Sequence, residues 1–75
     1  MEYYERLKLL REGKKLSQKE LGDLLGFSQS TVSQYERNVR KPSPEGVIKF
    51  AMFFKVSVNY LFGFTDDPTP PKSDK

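Results

Sequence analysis

Serine recurs at positions 17, 28, 43 and 57, each time where a helix can begin. A serine just ahead of a helix accepts a hydrogen bond from one of the N–H groups that the first turn leaves without a partner. Ser17 is followed three residues later by Glu20, the spacing of a capping box, with Leu16 and Leu21 placed to staple the entry. Ser28 is flanked in the same way by Phe27 and Val32, and Ser57 by Val56 and Leu61. Ser43 precedes Pro44, and proline is favoured at the first helical position. Ahead of these four starts, Tyr3, Leu7 and Leu10 follow the i, i+4, i+7 spacing of one apolar helix face, which Gly13 is expected to close. The fourth helix is predicted from Pro44 to about Phe54, with Val47, Phe50, Ala51 and Phe54 inward, and a short fifth from Val58 to Phe62, capped by Gly63. No segment alternates with the period of a strand, so the expected fold class is all-α: a compact bundle of five helices with short connections.

The second and third helices, within residues 17–36, are joined by a tight turn at Gly26, where glycine tolerates a positive φ. At about 100° per residue, Gln29, Ser30, Ser33, Gln34 and Arg37 share an arc of roughly 140° on the third helix, and Val32 and Tyr35 face the other way. A solvating helix face more typically carries Lys and Glu, which are better helix formers than serine. Small, uncharged, hydrogen-bonding side chains instead allow close approach to the edges of bases. The chain has 13 Lys and Arg against 10 Asp and Glu. From Lys14 to Lys41 there are six positive residues and three negative ones, which places the excess around the two-helix unit.

Composition narrows the function classes further. With no cysteine and no histidine, the chain lacks the usual metal ligands, general base and nucleophile partners, and it has no glycine-rich phosphate loop, so an enzyme and a bound cofactor are not expected. No apolar run approaches the ~20 residues of a membrane span. The opening MEYYERLKLL is charged and periodic, unlike a signal peptide, and a cytoplasmic location is the expectation. Seventy-five residues suit one domain, taken as residues 1–64. Residues 65–75, rich in proline and acids, are expected to be a flexible tail or linker.

Several positions, at the right mutual spacing, resemble the lambda-repressor-like helix-turn-helix domain of Cro and cI repressors, the XRE family. They are Arg11; Leu16, Ser17 and Gln18; Leu21, Leu25 and Gly26; Val32; Tyr35, Glu36, Arg37 and Asn38; Pro42 and Ser43; Phe50 and Ala51; and Val56, Ser57 and Leu61. The resemblance covers about residues 4–64. It implies a sequence-specific binder of double-stranded DNA, a transcriptional repressor of bacterial or phage type. Helix 3 would enter the major groove with Gln29, Ser30, Ser33 and Gln34 reading bases. Gln18, Ser28, Arg37, Asn38, Arg40 and Lys41 would contact phosphates, with Gln18 also touching Gln29. With no arginine in the first two turns of that helix, guanine contacts are expected to be few unless Arg37 reaches back, and adenine or thymine contacts under Gln29 and Gln34 are favoured. Arg11 and Glu36 match a charge pair that ties helix 1 to the end of helix 3. Gly22 stands where the resembling proteins more often carry alanine, a departure worth up to about 1 kcal/mol in helix propensity. Met52, Phe53, Tyr60, Phe62 and Phe64 exceed what so small a core can bury. With helix 5 a common dimer surface in this family, they suggest a homodimer on a near-palindromic operator, the alternative being that they pack inward under the tail. The same fold also admits a protein partner, such as a toxin or an antirepressor.

Overall fold

The computed structural model describes residues 1–70. Five helices follow one another: α1 (Tyr3–Gly13), α2 (Gln18–Leu25), α3 (Gln29–Glu36), α4 (Pro44–Phe54) and α5 (Val58–Leu61), with no strand among the described residues. All four serines cap. Ser17, Ser28, Ser43 and Ser57 each accept the N–H three residues on, from Glu20, Thr31, Gly46 and Tyr60. Glu20 completes the box by accepting from the Ser17 N–H at 2.8 Å. At the head of α1 the Glu2 N–H donates to the Glu5 carboxylate in the same manner.

The helix ends are as regular as the starts. Each helix is followed by a residue in the left-handed region: Lys15, Gly26, Asn38, Lys55 and Gly63, at φ between 58° and 83°. The next N–H then reaches back five residues, as in Leu16 to the Arg11 carbonyl, Phe27 to Gly22, Val39 to Gln34, Val56 to Ala51 and Phe64 to Asn59. This is the Schellman closure. α1 ends at Gly13 as expected, with the closure itself just beyond. Gly13 is the last helical residue and needs no special conformation, while Lys15 takes the left-handed turn. Glycine does occupy that position after α2 and α5. At Gly63 a side chain would also run into the Met1 carbonyl.

The closures make the connections short, and Leu16, Phe27 and Val56 each end one helix and staple the next. The apolar faces then meet in one core of Leu7, Leu21, Val32 and Phe50, fully buried, with Tyr35, Val47, Ala51, Phe54, Val56 and Leu61 around them. Phe27 stacks on Phe50 with centroids 5.2 Å apart, and Tyr35 meets both rings edge-on at 5.8 and 5.9 Å. These aromatic contacts carry α3 onto α4. Gly22 explains itself at the α2–α3 crossing. A Cβ there would run into the Phe27 carbonyl oxygen, with the Phe27 and Ser28 carbonyl carbons at 3.2 and 3.3 Å.

Residues 65–70 have no helix and lie against the body. The Pro68 carbonyl accepts from the Ser57 N–H, and the Thr65 carbonyl accepts from Arg6 Nη1, both at 3.0 Å. Arg6 is buried, donates also to the Tyr60 carbonyl at 2.9 Å, and lies 4.1 Å over the Tyr60 ring. The remainder of the expected tail, residues 71–75, lies outside the described residues.

Candidate nucleic-acid interface

Helix α3 is held from behind and open in front. Val32 and Tyr35 anchor it in the core. At its last turn Glu36 is buried, its side chain only 2% exposed, and its carboxylate is met by donors from two other helices. Arg11 of α1 donates through Nε to Oε2 at 2.7 Å and through Nη2 to Oε1 at 3.0 Å. Gln18 of α2 adds Nε2 to Oε1 at 3.1 Å. The third arm of Arg11, Nη1, donates to the Leu16 carbonyl at 2.7 Å. The Glu36 hydrogen bonds push the Arg11 guanidinium above its ordinary pKa against the opposing effect of burial, so the cation is fixed. A buried carboxylate with a forked partner is the geometry in which charge pairing is strong. Three helices are therefore registered on one anion directly behind the outward face of α3.

On that outward face Gln29, Ser30 and Arg37 are exposed, and Ser33 and Gln34 partly so. The Ser28 hydroxyl, besides capping, lies 2.8 Å from the Thr31 hydroxyl. Arg37 bends back along the helix and donates Nε to Ser33 Oγ at 3.2 Å. Gln18 is half-buried, and among the described residues no hydrogen bond joins it to Gln29. Its amide is turned to Glu36 instead, because the buried carboxylate is the stronger acceptor.

The loop after α3 carries Arg37, Asn38, Arg40 and Lys41 in the open. Asn38 supplies the left-handed residue, and asparagine tolerates that conformation better than most. The Tyr3 hydroxyl donates to Asn38 Oδ1 at 3.3 Å, and the Arg40 carbonyl lies 3.5 Å away. Burial, then the neighbouring Tyr35 and Tyr4, hold the Tyr3 hydroxyl above its usual pKa and so in its donating form. Sequence reasoning did not place Tyr3 here, and no local signal joins residues 35 positions apart. Lys49 was also missed. It stands near the α2–α3 turn, its ammonium 3.3 Å from the Leu25 carbonyl and 5.4 Å from the Phe27 ring centroid.

The five residues expected on a dimer surface divide. Met52 and Phe64 are exposed, at 73% and 78%. Phe53, Tyr60 and Phe62 are partly buried against the core, with Phe62 stacked by Phe64 and Tyr60 covered by Arg6. Ile48 and Val58, not singled out by sequence, are exposed and line a groove with Met52, Val56 and residues of the 65–70 segment. No described helix is long and apolar enough to cross a membrane.

Residues 7–61 match the model of the helix-turn-helix family. The chain is 37% identical over 68 residues to the uncharacterized HTH-type transcriptional regulator YobD of Bacillus subtilis, aligning 91% of this chain with 61% of that one. It is 34% identical over 58 residues to the HTH-type transcriptional regulator ImmR of the same organism, spanning 77% of this chain and 46% of ImmR. The chain thus spans about half to three-fifths of the length of these relatives. Among solved structures it is similar to the P22 c2 repressor in complex with a synthetic operator. The TM-score is 0.77 and the identity 29%, covering 83% of this chain and 94% of the repressor. It is also similar to SinR, the master regulator for biofilm formation, in complex with DNA, at a TM-score of 0.71 and 33% identity over 79% and 95% of the two chains. The buried anion behind α3, the glycine turn before it and these likenesses agree: the chain belongs to the lambda-repressor-like helix-turn-helix family.

Proposed function

We propose that this domain binds double-stranded DNA sequence-specifically and regulates transcription, as a repressor of bacterial or phage type acting in the cytoplasm. The observation that carries the reading is the pairing of a rigidly backed α3 with a small, neutral, hydrogen-bonding outer face. Gln29, Ser30, Ser33 and Gln34 are the base-reading set, since glutamine can pair with adenine N6 and N7 and serine with several base edges. Ser28, Asn38, Arg40 and Lys41 follow the phosphates, and Gln18 supports α3 through Glu36 while its helix N-terminus faces the backbone. Both structural neighbours were solved on DNA, which supports the same use of this face.

Binding is measured on random duplex and on a selected site while salt is varied. A DNA reader loses log K with log salt at about 0.9 per phosphate neutralised. Gln29→Ala or Gln34→Ala is expected to relax base preference with a modest loss of affinity. Arg40→Ala or Lys41→Ala is expected to weaken all sequences alike and flatten the slope by about 1. Identical behaviour of the two groups across sequences refutes the division of roles.

The exposed apolar groove around Met52 supports a two-fold dimer, which would set two α3 helices about 34 Å apart on a near-palindromic operator. A chain that stays monomeric on a two-half-site operator excludes the dimer and leaves the groove to a different protein, such as a toxin or an antirepressor.

A further inference from the structure

Arg37 was expected on the phosphates, and its placement argues otherwise. On the helical wheel it falls between Ser33 and Ser30, four and seven residues earlier, on one row of the α3 surface. Side chains on a helix lean towards its N-terminus. Two serines in succession leave a shallow trough along that row, and Arg37 follows it, donating Nε to Ser33 Oγ at 3.2 Å. The guanidinium is thereby carried about 6 Å, four residues of rise, back towards the end of α3 that leads into the groove. No carboxylate holds it: among the described residues the salt bridges are those of Arg6, Arg11 and Lys19. With Nε engaged, the four N–H groups on Nη1 and Nη2 remain, and they form a fork pointing along the side-chain axis.

We infer that Arg37 is a base reader, directed by Ser33 at the O6 and N7 acceptors of a guanine in the major groove. The inference rests on the DNA-binding reading above and reassigns two residues within it: Arg37 reads a base, and Ser33 directs Arg37 rather than reading a base itself. Guanine is the base that presents two acceptors side by side, the pattern a free Nη1–Nη2 fork matches. A phosphate contact would require no such aim. Each half-site would then contain one guanine beside the adenine or thymine positions under Gln29 and Gln34.

In vitro selection of duplex sites with wild type, Arg37→Lys, Ser33→Ala and Ser33→Thr at one salt concentration tests this. Both residues are at the surface, and matching thermal melts establish that the variants are folded. Wild type is expected to enrich guanine at one position of each half-site. Arg37→Lys keeps the charge but not the fork, and lowers that preference about tenfold or more with the other positions unchanged. Ser33→Ala weakens the same preference severalfold, and Ser33→Thr, which keeps the hydroxyl, restores it. An unchanged guanine preference in Arg37→Lys, whose charge still serves a phosphate, makes Arg37 a phosphate contact and overturns the inference with DNA reading intact. A wild-type site without guanine does the same. An unchanged preference in Ser33→Ala removes the directing role of Ser33. Failure of wild type to enrich any site defeats the DNA-binding reading itself.

Discussion

Glu36 concentrates the energetics of the interface in one side chain. Burying a carboxylate is costly unless donors surround it, and Arg11 and Gln18 supply three hydrogen bonds from two helices. Removing one partner of such a pair leaves an uncompensated charge, worth about 3–5 kcal/mol when buried against about 0–1 for a surface pair. Both side chains are at most 10% exposed, which places this pair at the buried end. Arg11→Ala is therefore expected to lower Tm by about 12 °C or more, at about 4–8 °C per kcal/mol for a domain of this size. Gln18→Ala removes one hydrogen bond and is expected to cost about 1–3 kcal/mol. Circular-dichroism melts rank the two, and equal effects would mean that Arg11 carries no more than a neutral donor.

The helices owe their limits to local chemistry and their spacing to single residues in the turns. Gly22 sets the approach of α2 to α3. Helix propensity alone predicts that Gly22→Ala gains up to about 1 kcal/mol. The added Cβ would press on the backbone of Phe27 and Ser28, which cannot rotate away as a side chain can. Overpacking of this kind costs about 1–3 kcal/mol, so the net expectation is a lower Tm, read in the same melts. Lys55 offers the opposite case. It holds a left-handed conformation at φ 58° on the surface, where glycine avoids a strain of about 1–2 kcal/mol and forfeits about 0.5–1 in chain entropy. Lys55→Gly is expected to raise Tm by a few degrees, and a fall would show that the lysine side chain contributes packing.

For the whole molecule, the apolar groove beside α4 and α5 is the surface that self-association would cover. Ile48, Met52 and Val58 are apolar and exposed there, and none belongs to α3 or its following loop. A two-fold arrangement brings this face against its own copy, so Met52→Glu would oppose two carboxylates. The expectation is that wild type sediments as a dimer at micromolar concentration, with a Tm that rises with concentration. Met52→Glu is expected to sediment as a monomer and to bind single half-sites only. A wild type whose mass and Tm do not depend on concentration would count against the dimer.

Most features legible in the sequence are governed by neighbours within a turn or two. The serine caps, the glycine after α2 and the apolar rows that fill the core are determined by hydrogen bonds and periodicities that span about three to seven residues. The end of α1 shows the limit of that logic: the helix stops at Gly13 as expected, but the left-handed turn falls on Lys15, where the Schellman bonds and the following Leu16 hold it. The tertiary structure alone decided which distant groups meet. It turned Gln18 to Glu36 rather than Gln29, brought Tyr3 to Asn38 and buried Arg6 under the 65–70 segment. The Arg37–Ser33 contact is local, one turn apart, yet a wheel gives its face and not its reach. The distant contacts depend on where whole helices are packed, and a buried charge takes the best acceptor or donor that packing brings within reach.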